Sequence, residues 1–327
     1  MTFAKRNALL LTVWAAFSCT TPKTTKSDKL KEQMNKEQQK KVDEYRAEIE
    51  IGRNMGGRLL AFYGVNDDDT LLGYVNQVGN YVASYGDEPD RRYMFQILDS
   101  DVVNAFACPG GYILLTRGAI RHARNEAELA HVLGHEIAHV GKKHMFDALQ
   151  GMSKDEMEKA AKEADAAALK YSEELKARKR PEVTEDETGA MVAKYLSGSA
   201  AGLSILSAAK AGMSLILEKG LGAEKEFEAD AFGTKFAVRA GYHPKALMNY
   251  LCRIEQKKGK HKGRCRLPKR AKKKKKKSIL DKTHPSVVDR VAHIKKTLIS
   301  MNGLNSPGAR GAGRFKKFKK RIPKPTK

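Results

Sequence analysis

Apolar residues recur every three to four positions at several places along this chain. The clearest run is Leu129, Val132, Leu133, Ile137 and Val140, which paints one apolar stripe on a helix. Asn125, followed three residues later by Glu128, is a capping-box pattern that starts it. Helical spacing also marks residues 70–85, 246–254 and 287–298. Residues 30–62 read as a long, charged helical stretch broken near Gly56-Gly57. A second charged helix, 154–180, reads as part of an insertion spanning 150–190. Residues 191–217 are rich in Ala, Gly, Ser and Leu and suit a lid or hairpin over a cleft. Three short runs, 93–98, 102–107 and 112–116, read as strands. Between the last two, Cys108-Pro109-Gly110-Gly111 has the type II turn preference, Pro second and Gly third. The pattern predicts one mostly helical α+β domain with a small sheet, over residues 41–300.

Charge divides the chain. Its 327 residues carry a formal net charge of +24. Residues 257–277 hold fourteen basic side chains and no acidic one, and residues 310–327 hold nine more. The rest of the chain is close to neutral, so the basicity belongs to one loop and one tail. Such runs repel themselves, and a basic disordered tail is expected over 301–327. An anionic membrane surface is the expected partner, with no nucleic acid expected, because the N-terminus reads as an export signal. Lys5 and Arg6 precede a short apolar run that ends at Cys19. Residues 1–19 are therefore read as a signal peptide with a lipoprotein site at Cys19, although Ala16 replaces the usual Leu. Residues 20–40 are the tether and the start of the first helix. The expected location is the bacterial cell envelope, lipid-anchored on the periplasmic face of the outer membrane. In that oxidising compartment Cys252 and Cys265 are plausible disulfide partners and Cys108 is left free.

The chemistry concentrates in His135-Glu136-Ile137-Ala138-His139. Positions four apart lie about 40° from each other around a helix, so both imidazoles project from one face. Glu136 stands about 100° round from His135, near enough to reach a water without being a ligand. This is the zinc-peptidase arrangement of two nitrogen donors and a general base. His131 falls on the same face but has no Glu after it, and is read as a packing residue. His144 is read as capping the helix. Catalytic zinc usually takes a third protein ligand. Glu226 and Asp230, four apart on another helix, offer one: either carboxylate can bind metal while the other accepts a hydrogen bond from a ligand imidazole.

Four separated motifs resemble those of the metallopeptidase family that holds the CAAX prenyl proteases, the HtpX membrane proteases and a set of periplasmic lipoproteins. They are Asn104-Ala-Phe-Ala-Cys-Pro-Gly-Gly-Tyr-Ile, Glu128-Leu-Ala-His-Val-Leu-Gly-His-Glu-Ile-Ala-His-Val, Glu226-Phe-Glu-Ala-Asp, and Thr283-His-Pro followed by Arg290. The resemblance covers roughly residues 45–300. It implies a zincin-like fold and one zinc ion per chain, held by His135, His139 and Glu226. Glu136 would be the base, with Asp230 behind the ligands. His284 and Arg290 would lie on the cleft wall, facing the developing oxyanion. A second role also fits His284, entry into the open metal position to hold the enzyme latent. The Asn104, Ala105 and Phe106 strand would bind an extended or unfolded polypeptide as an extra strand. The function expected is a zinc-dependent endopeptidase acting on misfolded or assembling envelope proteins. The competing reading is a chaperone or assembly factor whose zinc is structural or latent.

Overall fold

The computed structural model describes residues 26–153, 209–215, 220–257 and 284–325, with a few positions between 155 and 162. All but the first residue of the basic loop at 257–277, Cys19, Cys265, the export segment and most of the charged insertion lie outside the described residues. Two compact units are distinguished, residues Met1–Asp43 and Glu44–Lys327, and the second contains everything described below except the first part of the N-terminal helix.

Three strands make the sheet: β1 (Met94–Leu98), β2 (Ala105–Cys108) and β3 (Tyr112–Thr116). Their order is β1-β3-β2, with β1 parallel and β2 antiparallel to β3. Gly110 sits at φ 72°, ψ 6° in the β2–β3 connection, the left-handed conformation that the third position of a type II turn demands. Alternation along the strands sends side chains to two cores. Phe95, Ile97, Ala107, Ile113 and Leu115 enter one, whereas Leu98, Phe106, Cys108 and Leu114 enter the other.

Helix α1 (Lys26–Tyr63) covers the second face with Ile51, Met55, Leu59 and Tyr63. It runs without a break through Gly56-Gly57, contrary to the sequence expectation. Glycine costs about 1 kcal/mol in a helix interior, and burial of Met55 and Leu59 on either side outweighs that. Helix α2 (Asp69–Ala83) and helix α4 (Glu126–Gly141) lie in the first core, with the short α3 (Arg117–His122) leading into α4. Asn125 accepts a hydrogen bond from the Glu128 backbone N–H at 3.1 Å, capping α4 as expected. The reciprocal half of the box differs: the Glu128 carboxylate accepts from the Arg124 backbone N–H and pairs with Arg253.

Beyond α5 (His144–Gln150) come α6 (Ala223–Arg239), α7 (Ala246–Lys257), α8 (Val287–Ser300) and α9 (Ala312–Lys319). Helix α9 corrects the reading of 301–327 as a disordered tail. Phe315 is fully buried, and Phe318 stacks on Tyr74 with ring centroids 3.9 Å apart. Arg314 pairs with the buried Glu126 carboxylate. Three apolar residues, Phe315, Phe318 and Ile322, hold a segment whose basic count suggested a free tail. The described residues form an α+β domain, mostly helical around a small mixed sheet.

Candidate metal and active site

Helices α4 and α6 build the site because glycine lets them touch. A Cβ on Gly134 would lie 2.7 Å from the Gly233 carbonyl oxygen, and one on Gly233 would lie 2.5 Å from the His135 nitrogen. At that crossing Glu226 and Asp230 come alongside His135 and His139. Neither glycine carries a sequence signal that distinguishes it from an ordinary helix glycine.

His135 Nε2 and His139 Nε2 are 3.1 Å apart. Glu226 closes the triangle, with Oε2 3.6 Å from His135 Nε2 and Oε1 3.4 Å from His139 Nε2. Ligands at the roughly 2.0–2.1 Å of zinc–nitrogen and zinc–oxygen bonds stand about 3.3–3.4 Å apart in a tetrahedron. The three donors therefore fit one tetrahedral ion, and two imidazoles with one carboxylate suit zinc. All three side chains are buried.

Supporting contacts orient each ligand. His135 Nδ1 is 3.0 Å from Asp230 Oδ1, which directs Nε2 toward His139 and Glu226. Asp230 is fully buried and accepts two hydrogen bonds from Arg290, at 2.8 and 2.6 Å. Burial works against its charge, but the Arg290 guanidinium holds it below the usual carboxylate range. His139 is oriented from the other side: its Nδ1 is 2.9 Å from His144 Nδ1, and His144 Nε2 is 3.1 Å from Glu228 Oε2. His144 is thus the first residue of α5 and a contact of His139, not a cap on α4. His131 is fully buried, with no hydrogen-bond partner on either ring nitrogen among the described residues. Burial pushes its pKa down to about 3, so it packs as a neutral ring.

Burial also resists a proton on His135, yet the Asp230 and Glu226 carboxylates outweigh it and lift its pKa to about 10. A cation between the ligands would take the place of that proton. Desolvation holds His139 at about 4, neutral and ready to donate its lone pair. Glu226 is ionised despite burial because His284, His135 and His139 surround it. Glu136 is pushed upward by burial, as a base with little water around it must be. It lines two hollows, as do His135, Asn104, Ala105 and His284.

A family model for peptidase family M48 matches residues 71–298. The chain belongs to peptidase family M48. It is similar to the beta-barrel assembly-enhancing protease of Yersinia pestis, 28% identical over 190 residues, which are 57% of this chain and 33% of that protein. The Escherichia coli K12 protein of the same name is 27% identical over 185 residues, 57% of this chain and 33% of its own. A mitochondrial metalloendopeptidase of Arabidopsis thaliana is 34% identical over 53 residues, covering 16% of this chain and 11% of that protein. The chain spans about a third of the length of the beta-barrel assembly-enhancing proteases it matches.

In this M48 chain the residues expected from sequence do converge. His135, His139 and Glu226 come together as a group that could hold a metal ion, and Asp230 stands behind His135. His284 reaches Glu226 with Nδ1 2.6 Å from Oε2. Arg290 lines one hollow; its Nε and Nη2 donate to Asp230, and its Nη1 lies 3.8 Å from Glu226 Oε2. Strand β2 is an edge of the sheet, with Asn104 and Ala105 at the site. Phe106 lines the second hollow, while its ring is 2% exposed and stacks on Tyr63 at 5.6 Å. Cys108 is free and buried, and burial pushes its thiol pKa up. Cys252 is disulfide-bonded. Sequence reasoning missed His144 with Glu228, and the glycine pair at the helix crossing.

Proposed function

We propose that this M48 chain is a zinc-dependent endopeptidase that hydrolyses bonds in extended polypeptides. The observation that carries the reading is the tetrahedral spacing of His135, His139 and Glu226 beside the buried carboxylate of Glu136. One zinc ion, when bound, supplies a lowered pKa for water and a positive charge for the carbonyl oxygen. Glu136 holds the proton taken from the attacking water and hands it to the departing nitrogen. Its raised pKa suits that exchange, because a carboxylate nearer neutrality takes a proton more readily. His284 stands beside the developing oxyanion with its Nδ1–H donated to Glu226, which leaves Nε2 to face that oxygen; a donor at that position is worth roughly 3 kcal/mol. Arg290 acts through Asp230, locking the His135 tautomer. The outer edge of β2 pairs with the backbone of the substrate, whose side chains it reads only weakly.

The substrates we favour are misfolded or assembling proteins of the bacterial envelope. The names of the relatives support that class, since they are called beta-barrel assembly-enhancing proteases. Lipid attachment at Cys19 and contact of the basic 257–277 loop with anionic headgroups would hold the enzyme at a membrane. No described helix is long and apolar enough to cross one. A disulfide from Cys252 to Cys265 would close the base of that loop.

Purified protein incubated with an unfolded protein should degrade it, and a chelator should stop the reaction. Glu136→Gln should lose roughly 10²–10⁴-fold in turnover while retaining one zinc per chain. Undiminished function of Glu136→Gln would instead mark the chain as a chaperone that holds clients without cutting them.

A further inference from the structure

Helix α9 turns a basic side outward. Phe315 and Phe318 pack into the core. Lys316, Lys317 and Lys320 lie on the opposite side, within about 100° of each other around the helix axis. All three are exposed, as is Lys324 just beyond the helix. Among the described residues no hydrogen bond or ion pair engages these four ammonium groups. Carboxylates that meet this segment are already matched: Glu126 holds Arg314, Asp68 holds Arg321 and Glu128 holds Arg253. Lys319 turns back to the Ala123 carbonyl oxygen, and the next residue, Arg124, is exposed. Burial first, then Arg253, with Arg124 and Arg121 behind it, pushes the Lys319 pKa down, as an uncompensated positive field does.

The partner of such a face is anionic, and its make-up narrows the choice. A nucleic-acid face stacks bases on exposed aromatic rings and reads their edges with arginine. Here the two aromatic rings are spent inside: Phe315 is 0% exposed and Phe318 is stacked on Tyr74. What points out is mainly lysine, a compact charge on a flexible stem with no preferred plane. That suits a fluid layer of headgroup phosphates, which offers no fixed geometry to match. Ala312 and Gly313 share the exposed side and are too small to enter the acyl layer, so contact stays at the headgroups. The export signal read at residues 1–19 favours the same partner.

We infer that the outer side of α9, with Lys316, Lys317, Lys320, Lys324 and the neighbouring Arg124, is a docking surface for a phospholipid bilayer bearing anionic headgroups. The surface is rigid because Phe315 and the Arg314–Glu126 pair fix α9 to the start of α4. His135 follows nine residues along α4 from Glu126, a rise of about 14 Å. The metal site is then carried at most about that much further from the headgroups than the start of its helix. The inference goes beyond the peptidase reading and does not depend on it.

The test is flotation of the full chain with vesicles of phosphatidylcholine alone and of phosphatidylcholine mixed with phosphatidylglycerol. The readout is the ratio of the two partition coefficients, which separates charge from any acyl anchor. Each basic residue near a charged surface contributes about fivefold. The triple variant Lys316→Gln, Lys317→Gln and Lys320→Gln should therefore lower the ratio by roughly 100-fold, with the 257–277 loop left intact. The double variant Lys320→Gln and Lys324→Gln should lower it by roughly 30-fold, and decides should the triple variant misfold. Salt near 1 M, where the screening length is about 3 Å, should bring the wild-type ratio close to one. As a control, Lys31→Gln, Lys36→Gln and Lys41→Gln together on α1 should leave the ratio nearly unchanged. Hydrolysis of a soluble peptide should be equal in wild type and the triple variant, so a failed docking surface and a failed peptidase reading stay distinguishable. An undiminished ratio in the α9 variants would assign the attraction to other basic residues and overturn the inference. Equal losses in the α1 control would reduce it to net charge. Duplex DNA that displaces the chain from vesicles at equal phosphate concentration, through the same lysines, would overturn the choice of lipid.

Discussion

At the scale of single residues, the site is governed by what stands behind each ligand. His135 leans on Asp230 and Arg290, whereas His139 leans on His144 and, through it, on Glu228. With His139 Nε2 turned toward metal, its Nδ1–H donates to His144 Nδ1, and the Nε2–H of His144 donates to Glu228. That chain fixes the tautomer and ring plane of His139. His144→Leu should therefore weaken zinc affinity by roughly 10–100-fold, measured by competition with a chromophoric chelator. His144→Gln, which can still accept a hydrogen bond, should recover part of the loss. Equal zinc affinity in wild type and His144→Leu would show that packing alone orients His139.

At the scale of elements, the decisive contact is the crossing of α4 on α6. Gly134 and Gly233 bring backbone against backbone, so the crossing has no slack for a methyl group. Alanine is the better helix former by about 1 kcal/mol, which would make Gly233→Ala stabilising on a free helix. Here the added Cβ meets the peptide of Gly134 and His135, and the helices must part. Parting them draws Glu226 and Asp230 away from the two histidines. Gly233→Ala should keep the helical circular dichroism spectrum but lose zinc binding and peptide hydrolysis together. Retention of stoichiometric zinc would show that the crossing tolerates the shift.

At the scale of the whole molecule, the C-terminal segment closes the fold. Glu126 begins α4 with its side chain at 0% exposure, and takes hydrogen bonds from Tyr74 at 2.6 Å, Tyr242 at 3.0 Å and Arg314 of α9. Burial alone would raise its pKa; Arg314 and the two phenols reverse that and hold it below the ordinary carboxylate value. The sign follows. A lowered folded-state pKa contributes stability above the unfolded value, and that contribution is lost as pH falls through the lowered one. Limited proteolysis should find residues 309–325 protected at neutral pH and released in acid. Arg314→Ala should lower Tm by a few degrees, on the order of 5 °C, because a buried carboxylate loses its only cation among the described residues. An unchanged Tm would mean the two phenols suffice.

The sequence by itself determined the histidine pair and the carboxylate between them. Helical periodicity places His135 and His139 on one face and Glu136 beside it, and that is a local property of any chain with this spacing. The same holds for the caps, the turn at Gly110 and the three strands, all written in neighbouring residues. What only the tertiary structure decided is which distant groups meet. Which carboxylate, Glu226 or Asp230, faces the two Nε2 atoms depends on the depth at which two glycines let α6 approach α4. His144 looked like a cap until the chain reversed at Lys143, whose φ of 53° starts a new helix. The basic tail looked free because charge is conspicuous in sequence, while the socket for Phe315 is assembled from residues far apart in the chain. Local spacing sets which side chains share a face; long-range packing sets what that face meets.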